Sequence, residues 1–475
     1  MMKIALIYPN KQTSEPQMSL GIGYLASFVL SRNNDVDVRV LDTGVSTQKE
    51  LNEFLRQRYD AVGVTVTSRT YNEGIEIANK LRQSQANVPI IFGGPHVSIM
   101  MQEIMKDSVI DLAVYGEGEL TFSDIISLLR TRKAISNVEV LSKIEGLIFR
   151  SSNGVVVSSP RALISDLDAL PFPAFHLFPI NRYVGKLPMI TSRGCPFACV
   201  FCASSHIWGR KWRARSPKNI IEEVKYLTRK FGFVPIDFHD DSFNIDLKRV
   251  NAICDEFLIS KIRIPWGVRG FRADMVNDQV ALKMRRAGCT HVTIGIESAN
   301  QQMLKRMGKR ETKEQIAAGI NILRSAGIDV FGQFMIGNPG ETLETVKESI
   351  EFVQTSGLIK ASFGTAVPFP KTGLWEYVKA HGRFLVEEDC TRFEDMNPRI
   401  IFETPEFNSQ QRLQAIRMAE QAGFRVAGGT LEEKKSFLQA LRKRIIFRYL
   451  FKILTASISV RVYFFLRKIR AELHR

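Results

Sequence analysis

The segment Arg193-Gly-Cys-Pro-Phe-Ala-Cys-Val-Phe-Cys-Ala-Ser-Ser205 gathers three of the chain's six cysteines into eight positions, with the spacing C-x3-C-x2-C. It follows directly on Met189–Ser192, an apolar stretch that reads as a strand. Three thiolates so placed, Cys195, Cys199 and Cys202, suit three corners of a cubane iron–sulfur cluster and leave one iron open. A closed zinc site would want a fourth Cys or His, and His206, the near candidate, sits too close to Cys202 for the usual loop. Cys254, Cys289 and Cys390 stand singly and read as inert buried thiols.

Downstream, strand-like and helix-like stretches alternate. Strands are expected at Ile236–His239, Trp266–Gly270, His291–Ile296, Val330–Ile336 and Ser362–Val367, with amphipathic helices between them. With Met189–Ser192 that makes six βα units over residues 185–375. This pattern predicts a partial (β/α)6 barrel with its chemistry at the strand carboxyl ends.

Upstream, residues 1–140 alternate in the same way. The strands Lys3–Tyr8, Val36–Leu41, Ala61–Thr67, Val88–Gly93 and Leu112–Tyr115 predict a separate α/β, doubly wound parallel sheet. Its ligand crevice would lie beyond the strand carboxyl ends. Residues 141–184 read as a hairpin turning at Ser151–Gly154 and a proline-rich linker at Leu170–Pro179, and 376–475 as a helical region ending in a basic tail.

Composition bounds the rest. The chain has 475 residues, 45% hydrophobic and 24% charged, too long for one ordinary core and unlike a disordered or multi-span membrane protein. The net charge is +16, but from Lys434 onward 12 Lys or Arg face one acid, Glu472, so +11 belongs to this tail. Its aromatic and aliphatic residues recur among the basic ones at helical spacing, from Phe437 to Leu466. That suits an amphipathic helix lying on an anionic membrane surface. No nucleic-acid partner is needed for the body, and no signal peptide or long apolar span is present, so the enzyme is expected in the cytoplasm, with the tail as a peripheral anchor.

Several motifs in order make the chain resemble the radical S-adenosylmethionine (SAM) superfamily from Leu187 to about Trp375. Phe201 precedes the last cysteine of the triad. The second strand ends in His239-Asp-Asp-Ser-Phe243, and the third carries Trp266 and Arg272 as W-x5-R. The fourth reads Gly295-Ile-Glu-Ser298, followed by Leu304 and Lys309, and the fifth Gly337-Asn-Pro-Gly-Glu-Thr342. The sixth leads into Pro368-Phe-Pro-Lys-Thr-Gly373, with Lys371 where the subgroup more often has glycine. The resemblance implies a [4Fe-4S] cluster on Cys195, Cys199 and Cys202. It also implies a SAM site drawn from Phe201, Asp240, Asp241, Arg272, Glu297, Ser298, Lys309, Gly337 and Gly340. Carboxylates would meet the SAM ammonium and sugar, a cation its carboxylate, and the glycines would let the chain pass close to adenine.

Ser19-Leu-Gly-Ile-Gly-Tyr-Leu-Ala26, Val64-Thr-Val-Thr67, Gly93-Gly-Pro-His96 and Tyr115-Gly-Glu-Gly-Glu119 are similar to the cobalamin-binding domain that precedes many radical SAM barrels. By this resemblance Leu20, Gly21, Gly23, Tyr24, Thr65, Thr67, Gly93, Gly94, Gly116, Glu117 and Gly118 would hold cobalamin. The D-x-H-x-x-G stretch that gives cobalt a histidine elsewhere is missing. His96, the only histidine before His176, reads as part of a turn. No cysteine precedes Cys195, which argues against the two-cluster methylthiotransferases that act on tRNA.

The activity implied is methylation of an unactivated carbon of a small-molecule or lipid-like substrate, with flavodoxin or ferredoxin as electron donor. Cyclisation, rearrangement or oxidation without methyl transfer, or methyl transfer to phosphorus, would use the same cofactors. A non-catalytic cobalamin sensor is the reading from another class.

Overall fold

The computed structural model describes residues 1–11, 16–131, 137–183, 185–386, 391 and 400–427. The basic tail and its expected membrane contact, together with Cys390, lie outside these residues.

Seven strands form the first sheet: β1 (Met2–Tyr8), β2 (Val36–Asp42), β3 (Ala61–Thr65), β4 (Ile90–Gly93), β5 (Leu112–Val114), β6 (Leu147–Ser151) and β7 (Gly154–Val157). Their order is β2-β1-β3-β4-β5-β6-β7. The first five are parallel, and the hairpin β6–β7 continues the sheet antiparallel at one edge. Ile4, Ala5, Leu6 and Ile7 are all buried, as expected of a strand covered by helices on both faces. The order reverses between β1 and β3, which opens a crevice at the carboxyl ends. Glycines and helix starts gather there. Helix Leu20–Arg32 is capped by the Ser19 side chain, and helix Gly118–Arg130 begins just past Gly116.

The linker packs rather than dangles. Leu170, Ala174, Phe175 and Phe178 are buried, Ala174 N–H donates to Gly23 O at 2.9 Å, and Phe175 meets Phe231 of helix Pro217–Phe231 with ring centroids 6.3 Å apart.

The second sheet begins with β8 (Leu187–Met189). A two-residue pair follows, β9 (Ser192–Arg193) with β10 (Arg213–Ala214), and then β11 (Ile236–His239), β12 (Trp266–Phe271), β13 (Cys289–Glu297), β14 (Asp329–Ile336) and β15 (Lys360–Thr365). All strands of the main sheet are parallel and in sequence order. After a short antiparallel pair, β16 (Arg383–Phe384) with β17 (Phe402–Glu403), helix Ser409–Gln421 leads to a seventh strand of the main sheet, β18 (Arg425–Ala427), on β15. The sequence reading stops at six strands and expects only helices beyond residue 375. A three-residue strand carries too short an apolar pattern to register.

Burial alternates along these strands. On β13, Val292, Ile294 and Ile296 are fully buried, whereas Thr293 and Gly295 are partly open. The buried side faces a layer of helices, each packed on the next. Trp266 is the centre of that layer, with Phe238 and Phe257 at 5.5 Å and Phe243 at 6.4 Å between ring centroids. The other face of each strand is therefore the inner face of the barrel. Among the described residues no helix is long and apolar enough to cross a membrane.

Candidate active site

The thiol loop leaves β9 through Gly194, whose φ of 86° and crowding would set an added Cβ 2.1 Å from Lys211 O. Backbone bonds then pin the loop to the barrel mouth. Val200 N–H donates to Met307 O at 3.0 Å, Leu374 N–H to Val200 O at 2.8 Å, and Cys202 N–H to Cys199 O at 3.0 Å. Beneath it the Arg272 guanidinium lies 3.8 Å over the Phe197 ring. That guanidinium is held by Asp274 and Glu311, each at 2.9 Å, and donates to Lys309 O.

Cys195, Cys199 and Cys202 are half-buried and electrostatic neighbours of one another. Burial pushes all three thiols up, Cys202 to about 11. Iron ligation would have to displace those protons. Among the described residues no three His, Cys, Asp or Glu close around a point as a single ion requires. A cubane puts each thiolate on its own iron, so its ligands stand further apart. The donor set, soft thiols on one loop with Lys309 nearby, fits such a cluster.

Around the loop the predicted SAM residues divide. Phe201, partly buried, packs against the small apolar cluster of Ala366, Leu374, Val378, Ile401 and Phe402. Glu297 ends β13 with φ of 67°, half-buried, and desolvation raises its carboxyl above the usual range while Lys309 opposes this. Lys309 Nζ bonds Gly295 O. Asp241 opens to solvent and accepts from Ser204 Oγ at 3.1 Å.

The others are occupied. Asp240 accepts from Thr191 N–H at 2.7 Å, Thr191 Oγ1 at 2.5 Å and Ser192 Oγ at 2.6 Å, so it clamps the end of β8. Ser298 accepts from Asn300 N–H at 3.2 Å. Gly337 N–H goes to Glu341, and Gly340 N–H to Glu406 at 2.7 Å. Between those glycines Asn338 is fully buried, with neither side-chain polar atom bonded among the described residues. An orphaned amide at this position suits a polar ligand. The sequence reading passed over it because an Asn beside Pro-Gly looks like a turn residue.

The second feature is a cleft of about 230 Å³ at the carboxyl ends of the first sheet. Gly21, Tyr24, Thr65, Gly93, Gly94, Gly116, Glu117 and Gly118 line it. A Cβ at Gly21 or Gly116 would meet nothing within 4 Å, so backbone there faces open space. A broad flat ligand such as a corrin fits against such a surface.

Three expected residues lie elsewhere. Leu20 is core, Gly23 packs on Pro173, and Thr67 bonds Thr70 at the start of a turn. Among the described residues no histidine lines the cleft. His96 is buried, with Nδ1 3.0 Å from Ser68 Oγ and its ring 4.6 Å from Tyr71.

The cleft's far wall comes from the segment after β8: Ile190, Arg193 of β9, and Ile207 and Trp208 of the short helix Ser204–Trp208. Arg193 donates to Glu117 and Glu119, both at 2.7 Å, and all three are buried. Arg213 reaches Glu117 at 2.8 Å. The sequence reading missed Arg193, Glu119, Ile207 and Trp208. A buried arginine beside a cysteine motif is a signal only once its two acids are known to be opposite.

Two family models match separate stretches of the chain. The family model described as the radical SAM superfamily matches residues 189–353, and that of the B12 binding domain matches residues 16–126. The uncharacterized methyltransferase PH0819 of Pyrococcus horikoshii is 32% identical over 433 residues, 88% of this chain and 91% of that protein. The anaerobic magnesium-protoporphyrin IX monomethyl ester cyclase of Rubrivivax gelatinosus is 25% identical over 393 residues, 79% and 70% of the two chains. The solved radical SAM methyltransferase TsrM of Kitasatospora setae, with tryptophan and a SAM analogue bound, superposes with a TM-score of 0.73. That match covers 91% of this chain and 92% of TsrM at 18% identity, a likeness of fold.

Proposed function

The chain belongs to the radical SAM superfamily in its cobalamin-dependent form, and from that membership we propose that it methylates an unactivated carbon of a small-molecule substrate. The observation that carries this reading is the shared wall. Ile190, Arg193, Ile207 and Trp208 line the cleft and flank the thiol loop in sequence. A methyl carrier and a hydrogen-abstracting centre must both reach one carbon, and a common wall permits it.

Bound there, a [4Fe-4S] cluster with SAM supplies radical chemistry and cobalamin a carrier of methyl groups. The chain's own residues do the holding. Cys195, Cys199 and Cys202 would ligate the cluster. Phe201, Glu297 and Lys309, with the backbone at Gly337 and Gly340, would orient SAM. Gly21, Gly93, Gly94, Gly116 and Gly118 in residues 1–140 would carry the corrin, while residues 185–375 enclose the substrate. Trp208 and the Arg193–Glu117 pair would keep water from the passage between the sites.

The test is anaerobic reconstitution with SAM, cobalamin and a reductant such as flavodoxin or dithionite. Methylated product together with deoxyadenosine supports the reading. Deoxyadenosine with a cyclised or oxidised product instead would favour the reaction class of the Rubrivivax relative. No deoxyadenosine from loaded protein under any substrate would favour a sensor. The tail after Lys434 carries a separate proposal, contact with an anionic membrane. Flotation with anionic vesicles, comparing the full chain with one ending before Glu432, tests it: equal flotation by both removes the tail as an anchor.

A further inference from the structure

The inner face of the second sheet carries a polar network that none of these roles uses. Asp237 on β11 is in register with Gly267 on β12, and Gly267 with His291 on β13. With no side chain in the middle, His291 Nε2 comes within 3.1 Å of Asp237 Oδ1. A Cβ on Gly267 would stand 1.8 Å from the imidazole. Lys186, just before β8, closes on the same point, with Nζ 2.5 Å from His291 Nε2 and 3.7 Å from Asp237 Oδ1. One pleat toward the carboxyl ends, the paired residues His239 and Arg269 lean back on Asp237 Oδ2, at 3.3 and 2.9 Å.

A single carboxylate thus faces two fixed cations and two imidazoles. It cannot neutralise both Lys186 and Arg269, and the excess is not hidden. Arg269 keeps 49% of its side chain exposed although β12 is a central strand. Among the described residues only its Nε is bonded, so the outer edge of the guanidinium is open. Gln333, on the same face of β14, is exposed as well, whereas the outward-facing Val268, Val292 and Val330 are fully buried. The inner face is therefore open to solvent at Arg269 and Gln333, with positive charge at its foot. Its other end is Glu297, on the same strand as His291 and an electrostatic neighbour of Cys199. Six residues of strand separate them, roughly 20 Å.

We propose that Arg269, with His239 and Lys186, binds an anionic group of the substrate, a carboxylate or a phosphate, and so directs the rest of the molecule toward the thiol loop. The inference rests on the reading of the inner face as the substrate chamber of a methyltransferase. A planar guanidinium edge is suited to two parallel bonds to such a group, and the neighbouring cations strengthen them. Asp237 is a positioning residue, orienting Arg269 through Nε so that the free edge is left open.

The experiment uses the full reconstituted chain with SAM saturating, so that the SAM carboxylate's own site is filled. Benzoate, phenylphosphonate and the neutral benzamide are compared by saturation-transfer NMR titration on wild type, Arg269→Gln and Arg269→Lys. Iron content and melting temperature control for folding. Wild type should bind one of the two oxyanions at least about tenfold tighter than benzamide, and which one identifies the group. Arg269→Gln should erase that preference, and Arg269→Lys should keep part of it. Equal binding of all three probes, or an unchanged preference in Arg269→Gln, overturns the inference. Either result leaves the methyltransferase reading standing if deoxyadenosine and methylated product still form. Absence of SAM cleavage with the oxyanion preference intact sinks only that reading.

Discussion

Arg193 Nη1 lies 2.7 Å from Glu117 Oε1, so a buried ion pair ties the residue two before Cys195 to the loop that floors the glycine-lined cleft. The other oxygen of Glu117 accepts from Arg213 Nη1 at 2.8 Å and from Ile164 N–H at 2.7 Å. Glu117→Gln would leave Arg213, whose Nε and Nη2 already lack partners, uncompensated in a buried setting. The expected cost is about 3–5 kcal/mol in urea unfolding, with loss of bound cobalamin on gel filtration. Adding Arg213→Gln should recover part of the stability. An unchanged unfolding midpoint in the single variant would refute the pair's importance.

Gly267 leaves space for an imidazole and is not a turn residue. Gly267→Ala forces the His291 ring off its contact with Asp237, since the new Cβ would stand 1.8 Å away. Overpacking of this kind costs about 1–3 kcal/mol. The double variant Gly267→Ala with His291→Ala should be more stable than Gly267→Ala alone, because the clash has gone. Calorimetry of the three proteins decides it, and simple additivity of the two changes would count against the clash.

The sequence made the two sheets legible because strand–helix alternation is a local pattern, and the thiol loop because its spacing is chemical. Eight of the eleven expected cleft residues line the cleft, since glycine-rich loops after strands have few other uses. What escaped was relational. Asp240 reads as a ligand for an ammonium in a motif but spends both oxygens on Thr191 and Ser192. Arg193 and the inner-face network depend on partners dozens of residues away. Lys371 shows the reverse case. It departs from the glycine more usual in the subgroup, yet it takes the left-handed conformation with φ of 67° that glycine would take freely.

Asp42 is buried at the end of β2, and this raises its carboxyl to about 6 despite a 2.8 Å hydrogen bond from Tyr183 of the linker. The folded protein therefore holds a proton that the unfolded chain, near 3.8, has released. A raised acid contributes most stability below its folded value and loses it as pH climbs through that value. Between pH 5 and pH 7 the loss should be about 1 kcal/mol. Asp42→Asn, unable to titrate, should flatten that part of the stability profile in denaturant melts. A slope equal to wild type's would assign the proton elsewhere.

The two cofactor sites should come apart under mutation, since they share a wall but none of the three cysteines is part of the cleft's lining. Replacing Cys195, Cys199 and Cys202 together with Ala should abolish the iron–sulfur absorbance and SAM cleavage. The same protein should still retain cobalamin at close to wild-type stoichiometry, because none of the three lines the cleft. Retention of about four irons by the triple variant would remove these cysteines as the ligands.

The described wall of the cleft predicts the state of the cobalt. It offers glycine backbone, aliphatic and aromatic carbon, Thr65, Ser98 and the paired Arg193 and Glu117, but no imidazole. His96 lies nearest in sequence, yet its Nδ1 stands 3.0 Å from Ser68 Oγ, and its ring is fixed against Tyr71. Cobalamin bound there should lack a nitrogen ligand from the protein. The electron paramagnetic resonance spectrum of the cob(II)alamin form should then show no nitrogen superhyperfine splitting from a protein imidazole, in wild type and in His96→Gln alike. Uniform 15N labelling of the protein against unlabelled cobalamin separates a protein nitrogen from the cofactor's own base. A splitting that changes with the isotope and vanishes in His96→Gln would mean that the helix Pro95–Met100 turns its histidine into the cleft when cobalamin arrives.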